Sequence, residues 1–463
     1  MSIDDPHGNF PINGGKFSVF QRVMRQWAGI HPYNAVHVFR FEGQADIDQL
    51  ADSIERTWQA FDFGTASIRK NQYHFSRPEG ERPEIEIIEP GEDPTQTLNT
   101  HLGDQLNYRF PTQNYSPVRF SVMQEATCHY LCVTYDHWIC DGVAIRILLR
   151  PIICGYCGDS EYESLDADGL MEDGKNISFY PPTYRKAYRK YFSQKFQRLS
   201  QWWRYILANN VTIQVPSRNK NNMHAEYLSR EFSSETFQSM MDGAKQHGVT
   251  VHDLFLAAIT RACMPYLPAR LVRRKRRRMG IGSIVNTRDL TDTPVDNAIA
   301  VYLGYFITHS RADQADTLGG LAQIIAKKTS VVKENKAYLN TAIGMKIQCL
   351  LWPMIPPFAK AGFMRNSLPL SAGISNSFVK DDWMIALRDS SQRRLLSYFR
   401  ASPTGPIIPI SFAPTTMAGS LHMGVTWRPS CFDRGTIEKI AASIENDLSN
   451  VSNVVRDSDP VDR

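Results

Sequence analysis

Residues 130–149 read YLCVTYDHWICDGVAIRILL. Leu131, Val133, Tyr135 and His137 fall on one face of a strand by its two-residue period. The strand therefore ends with an imidazole on the side turned to the core or to a cleft. Asp141 and Gly142 follow where the chain must turn back into the apolar run that starts at Val143. Gly142 is expected to permit a backbone geometry at that turn that a bulkier residue resists. A histidine at a strand end suits a general base, because imidazole titrates near neutral pH. The aspartate four positions later need not touch it. Pointing away, it can lock the turn through an arginine elsewhere and keep the ring aimed into the cleft. On these residues alone the alternative stays open: a satisfied core histidine beside an ordinary Asp-Gly turn.

Outward from this stretch, strands and helices alternate. NAVHVFRFE (34–42) reads as a strand. It leads into a helical stripe of Ile47, Leu50, Ile54, Trp58 and Phe61, with Asp46 and Gln49 patterned as a capping box. Residues 117–135 read as two strands and 143–154 as a helix. Residues 159–181, acidic and then rich in Gly, Asn and Pro, make the linker. After Pro182 a long helical pattern runs through Tyr184, Tyr188, Phe192, Phe196, Leu199, Trp203 and Ile206. Its Arg and Lys residues read as a solvated face, or else as contacts to an anion. Thr250 with Asp253 caps a helix expected to reach about Tyr266. Strands follow at 279–286 and 300–308, then a helix at 317–334. LHMGVTW (421–427) and the Ile437, Ile440, Ile444, Leu448 stripe repeat the strand-then-helix plan. The expected fold class is α/β, or α+β with mixed sheets, in two lobes: 1–173 and 174–463.

Charge divides the chain at the same place. The 463 residues carry 52 Lys+Arg and 47 Asp+Glu, a formal +5. Residues 1–173 hold 13 basic and 26 acidic side chains; residues 174–463 hold 39 and 21. Such a split marks two lobes with different surfaces. It serves either an anionic partner or the association of the lobes themselves. A composition of 42% hydrophobic and 21% charged residues is that of a folded soluble protein. The longest apolar run, Cys349 to Phe358, is cut by Pro353, Pro356 and Pro357, so no transmembrane segment is expected. The polar start MSIDDPHGNF and eight cysteines lead to the expectation of a cytoplasmic protein with reduced thiols. Cys154 and Cys157 form a lone CxxC without a second pair, so they read as two thiols, and no metal is expected. No GxSxG, P-loop, HExxH or GxGxxG pattern is present, which removes the usual prompts for hydrolases, NTPases, zinc proteases and dinucleotide enzymes.

The motif His137-Trp138-Ile139-Cys140-Asp141-Gly142 resembles the HxxxDG signature of the chloramphenicol acetyltransferase-like superfamily. That group includes nonribosomal-peptide condensation domains, plant BAHD acyltransferases, and wax-ester or polyketide-associated acyltransferases. HPYNAVHVFRFEG (31–43), WWRYIL (202–207), HGVTVHDLFLAAITRA (247–262), GIGSIVNTRDL (280–290) and GISNSF (373–378) resemble its other segments, in its order. The resemblance implies two lobes with a central channel, entered by a thioester donor and a nucleophilic acceptor from opposite faces. His137 would take the proton of an acceptor hydroxyl or amine. Asp141 would pair with Arg288, both with Gly142 as structural supports, and Ser375 or Asn376 would serve the oxyanion.

The departures are also informative. Asp136 stands where many relatives carry a first histidine, on the opposite strand face. The DFGWG motif of BAHD enzymes is absent, and no HQDxPFE-like motif is recognisable. Cys140 reads as a packing residue. Seven of the nine residues from Arg270 to Arg278 are cationic, without the aromatic interleaving of a nucleic-acid binder. In the family's fold this is a loop where Arg273, Arg274, Lys275 and Arg276 would meet coenzyme A phosphates or an acidic acyl carrier protein. The expectation is a stand-alone, monomeric acyltransferase with no bound cofactor. Its thioester co-substrate carries coenzyme A or phosphopantetheine, its acceptor is a small molecule, and nucleic acid is not a partner. The alternative is a catalytically silent condensation-like domain that binds carrier proteins as a scaffold.

Overall fold

The strand that ends at His137 lies at the centre of a five-stranded sheet. In a computed structural model that describes residues 14–77, 82–158, 186–187, 212–219, 222–267, 277–292, 298–368, 370–389 and 393–452, this strand is β7 (Cys128–Asp136). The expected boundary at 173/174, the linker, the residues patterning the helix after Pro182, WWRYIL, and Arg273, Arg274, Lys275 and Arg276 lie outside the described residues.

The sheet order is β13 (Leu395–Ala401), β2 (Asn34–Glu42), β7, β6 (Val118–Gln124), β5 (Ile85–Ile88). Its pairs are antiparallel except β5 with β6. Both faces are covered, which explains the nearly unbroken apolar runs of its inner strands. Phe39, Phe41, Leu131, Val133 and Tyr135 share a core with α2 (Ile47–Phe61) and α4 (Ala144–Tyr156). The alternate residues Val36, Val38 and Cys132 pack on Leu98, Leu102 and Leu106 of α3 (Pro94–Asn107). A small sheet of β1 (Gly14–Lys16), β4 (Gln72–Ser76) and β3 (Thr65–Arg69) supports the motif's tryptophan. Phe75 stacks on Trp138 at 5.9 Å and Tyr73 meets it edge-on at 5.3 Å.

The second sheet runs β10 (Leu303–Ser310), β9 (Met279–Asn286), β11 (Ala372–Ile374), β14 (Ile410–Met417), β15 (Ser420–Trp427), β8 (Glu226–Phe232), with β12 (Ser377–Val379) beside β14. It is mixed: β11 is parallel to both its neighbours, and β12 is parallel to β14. Helices α5 (Ser234–Gln246), α6 (Val251–Cys263), α7 (Leu318–Glu334) and α11 (Arg434–Ser449) complete this core. The described helices also include α1 (Val19–Ala28), α8 (Asn340–Leu351), α9 (Pro357–Ser367) and α10 (Asp382–Ala386). Mixed α/β architecture, the expected fold class, is the one found.

Local expectations hold where side chains close the backbone locally. Thr250 and Asp253 form a reciprocal capping box, and α6 passes into a 3₁₀ turn that ends at Tyr266. Asp46 accepts from the Gln49 N–H at 3.0 Å, while the Gln49 side chain accepts from Arg393 across the fold. Residues 300–302 precede the strand expected at 300–308 because Ala300 and Tyr302 pair with Asp141 instead.

One strand was not expected in its place. β13 comes from the second half of the sequence but pairs with β2 at the edge of the first sheet. It also lies directly on the second sheet. A Cβ built on Gly424 of β15 would sit 2.2 Å from the Arg400 carbonyl oxygen, and the Tyr227 hydroxyl donates to that oxygen at 3.3 Å. The two sheets therefore meet at Arg400.

Candidate functional site

His137 sits one residue beyond β7, held from both sides. Its backbone N–H donates to the Tyr33 carbonyl at 3.1 Å, and its ring stacks on Tyr33 at 5.5 Å. Tyr135 meets the ring edge-on at 5.5 Å. Nδ1 lies 3.0 Å from the Cys140 carbonyl oxygen. A carbonyl only accepts, so Nδ1 carries the proton and Nε2 keeps its lone pair. No protein partner of Nε2 exists among the described residues. Burial holds the imidazole pKa below its ordinary value; Arg400 adds to this, while Asp141 and the Cys140 carbonyl oppose it.

Asp141 does not touch His137. Its fully buried carboxylate gathers five bonds. Oδ1 accepts from the Val143 and Ala144 N–H groups at 2.9 Å each, at the start of α4. Oδ2 accepts from the Tyr302 N–H at 2.8 Å. Arg288 closes the set with two parallel bonds of 3.0 Å, and its guanidinium lies 4.6 Å from the Tyr302 ring centre. The carboxylate thus ties the turn after β7 to β9 and the segment before β10, joining the halves of the molecule. Such a bidentate pair has strong directional preference.

Gly142 departs from its expected role. It is not among the residues with positive φ, so its backbone is open to any residue. It stands on the wall of a cavity, where a Cβ would meet Arg400 Nη1 at 3.6 Å and His37 Nε2 at 3.8 Å, both ordinary contacts.

That cavity has a volume of about 200 Å³ and is lined by both halves of the chain. His37, Tyr135, His137 and Arg400 come from the first sheet and the residue after it, and Gly282, Gly373 and Ile374 from the second. Phe20, Met24 and Trp27 of α1 give it an apolar wall. Ser375 and Asn376 also line it, between β11 and β12. The Ser375 N–H is spent on the Phe412 carbonyl, and its Oγ accepts from Arg400 Nη1 at 3.4 Å, leaving the hydroxyl hydrogen free to donate.

Asp136 points away from the cavity. Its carboxylate accepts from the Tyr115 hydroxyl at 2.7 Å, which itself accepts from Trp138 Nε1 at 2.8 Å. Burial raises its pKa to about 6. Cys140 is wholly buried in the core, and desolvation pushes its thiol pKa up. Cys154 and Cys157 are buried and in no disulfide. No cluster of three or more metal-ligating side chains exists among the described residues, and no described helix is long and apolar enough to cross a membrane.

Sequence reasoning missed His37, Arg146, Tyr398 and Arg400. His37 had a legible signal, since it alternates with Ala35 and Phe39 on the inward face of a recognised strand. Arg400 had none, because the pairing of β13 with β2 joins residues more than 350 apart in sequence.

A model of the condensation domain family matches residues 23–317. No curated protein matches the sequence. Among solved structures, the chain is similar to the first condensation domain of the calcium-dependent antibiotic synthetase, with 10% identity over 95% of this chain and 96% of that one and a TM-score of 0.65. Polyketide synthase associated protein 5 from Mycobacterium tuberculosis aligns at 13% identity over 96% and 98% of the two chains, with a TM-score of 0.62. The epimerization domain from the third module of tyrocidine synthetase B aligns at 12% over 96% and 98%, with a TM-score of 0.59. At these identities the likeness is one of fold, and the fold accommodates more than one activity.

Proposed function

The chain belongs to the condensation domain family, and from that premise we propose that it moves an acyl group from a thioester to a hydroxyl or amine, with His137 as general base. Condensation domains usually transfer acyl or peptidyl groups between carrier-bound substrates. The observation that carries the reading is the state of His137. Its Nδ1 proton is fixed on the Cys140 carbonyl, leaving an unpartnered basic Nε2 on a cavity lined by both halves of the chain.

In this mechanism Nε2 takes the proton of the acceptor as its oxygen or nitrogen attacks the thioester carbonyl. The imidazolium then returns that proton to the departing thiolate as the carbon–sulfur bond breaks. The ring ends neutral, so the histidine needs no external acid or base. A lowered pKa keeps it in its basic form at neutral pH. The Ser375 hydroxyl, with its oxygen already accepting from Arg400, has its hydrogen to give to the tetrahedral oxyanion, and Asn376 lies beside it. Asp141, Gly142 and Arg288 act as supports: the ion pair holds the turn, and the glycine borders the cavity.

The test is thiol release from a panel of acyl-coenzyme A and acyl-carrier-protein donors with added acceptors. His137→Ala is expected to lower acceptor-dependent turnover by about 10²- to 10⁴-fold. Equal turnover by the two proteins overturns the mechanism and favours a silent domain that binds carrier proteins. Full turnover with coenzyme A donors alone removes an obligatory carrier protein.

A further inference from the structure

The wall of the cavity beside Gly142 holds more positive charge and more hydrogen-bond donors than the acyl-transfer mechanism uses. Arg400 is 6% exposed, and every partner of its guanidinium is neutral. Nε donates to Thr415 Oγ1 at 3.1 Å, and Nη2 to the carbonyls of Ser375 and Pro414 at 2.7 and 3.1 Å. Nη1 has only the 3.4 Å contact with Ser375 Oγ, and it borders the space that a Cβ on Gly142 would fill. No carboxylate pairs with Arg400 among the described residues. The neighbouring buried arginine, Arg146, is neutralised by Asp381.

Two further polar side chains belong to residues that line the same cavity. The Tyr135 hydroxyl is completely buried and has no hydrogen-bond partner, although the residue lines the cavity. Tyr135 and Arg400 are close enough for each to act on the other's ionisation. His37 supplies the third donor. The Tyr398 hydroxyl lies 2.7 Å from His37 Nδ1, and we take the tautomer in which that hydroxyl donates to Nδ1. The neutral ring then carries its own proton on Nε2, which lies 3.8 Å from the same Gly142 position.

We propose that Arg400, with the Tyr135 hydroxyl and His37 Nε2–H, forms a carboxylate subsite beside His137, so that one of the two substrates carries a free carboxylate on an apolar body. A buried cation is costly unless a permanent negative charge compensates it, and guanidinium matches carboxylate in both charge and geometry. A neutral thioester carbonyl supplies no such charge, and an oxyanion exists only in passing. The apolar wall of Phe20, Met24 and Trp27 sets the body that the carboxylate comes on. This inference names the substrate class of the acyl-transfer reading and rests on that reading only for calling the ligand a substrate.

Two probe pairs separate the sources of the carboxylate, with binding followed by calorimetry. For the acceptor, 3-phenyllactate is compared with 3-phenyllactamide; for the acyl group, glutaryl-pantetheine is compared with glutaramoyl-pantetheine. The wild type is expected to bind the charged member of one pair at least ten-fold tighter than its amide. Arg400→Gln brings the two members within two-fold of each other. Tyr135→Phe lowers the preference several-fold without lowering Tm, because its hydroxyl has no partner to lose, and this variant keeps the test decisive if Arg400→Gln folds poorly. A preference in the first pair assigns the carboxylate to the acceptor, and in the second pair to the acyl group. Equal binding in both pairs, or a preference that survives both substitutions, overturns the proposal. His137→Ala is expected to keep the preference, since binding needs no turnover. An intact preference alongside wild-type turnover in His137→Ala retires the catalytic reading and leaves the subsite standing.

Discussion

Arg288 and Arg400 are both largely buried arginines close to the same turn, yet their surroundings are opposite. Arg288 meets the Asp141 carboxylate in two 3.0 Å bonds, and that carboxylate is further satisfied by three backbone N–H groups. Arg400 meets carbonyls and hydroxyls only. The first arrangement is closed in charge: the guanidinium has a carboxylate of opposite sign within the chain, although its Nε has no partner, and that pairing is what a structural tie requires. The second is open on the side of the cavity. A protein tolerates an uncompensated buried charge mainly where function uses it, so the contrast separates a residue that holds the site together from one that faces its ligand.

Removing the complement from the closed arrangement is expected to have the largest effect on stability. Asp141→Ala strands Arg288 and leaves three N–H groups without their acceptor, at a cost of about 3–5 kcal/mol in thermal or denaturant unfolding. Arg400→Gln removes hydrogen bonds but strands no opposite charge, so its expected cost is smaller, about 1–2 kcal/mol. Similar losses for both would break the comparison. The double variant Asp141→Ala/Arg288→Met sharpens it. Removing both partners is expected to recover part of the single variant's loss, which a purely local role for Asp141 would not allow.

Gly424→Ala tests the placement of Arg400 without altering Arg288. Its Cβ would lie 2.2 Å from the Arg400 carbonyl oxygen, so β13 and β15 must part. Overpacking of this kind costs about 1–3 kcal/mol, and Tm should fall accordingly. An unchanged Tm would show that β13 does not rest on the second sheet.

The two faces at the end of β7 make a further contrast. Asp136, with its pKa raised to about 6, is more easily protonated folded than unfolded. The fold is therefore most favoured below the ordinary carboxylate range and loses stability as pH rises through about 6. Asp136→Asn keeps an acceptor for the Tyr115 hydroxyl and removes the buried charge. It is expected to raise stability at pH 8 by on the order of 2 kcal/mol and to change it little at pH 4. Equal effects at the two pH values would contradict the raised pKa.

His137, on the cavity face, shifts the other way. Its basic form persists as pH falls below the ordinary imidazole value of about 6.5, and activity should fail only at lower pH. The acid limb of kcat/KM is the measurement. A limb above about 6.5 would show a ring that gains charge on folding, contrary to its burial.

Much of the fold was legible because it is encoded over short distances. The 34–42 strand, the helix after Asp46, the paired strands before His137 and the helix capped by Thr250 each follow from spacing within about fifteen residues. His137 and Asp141 were legible from a compact motif, and Arg288 through the resemblance of its segment to one of a known family. The expected reason for Gly142 was not correct. Sequence suggested backbone conformation, whereas the structure shows an ordinary φ and a position beside Arg400 and His37 on the cavity wall.

The sequence by itself determined a good part of the elements and the strand-end histidine, because periodicity, caps and a compact motif are local properties of the chain; Arg288 as the partner of Asp141 came from the family resemblance. Only the tertiary structure decided which face of Asp141 is satisfied by Tyr302, that β13 crosses to the first sheet, and that Arg400, His37 and Tyr135 share one wall. Those facts depend on pairings between residues tens to hundreds of positions apart. No local pattern specifies such a pairing; it is set by which apolar faces and backbone groups must be buried together.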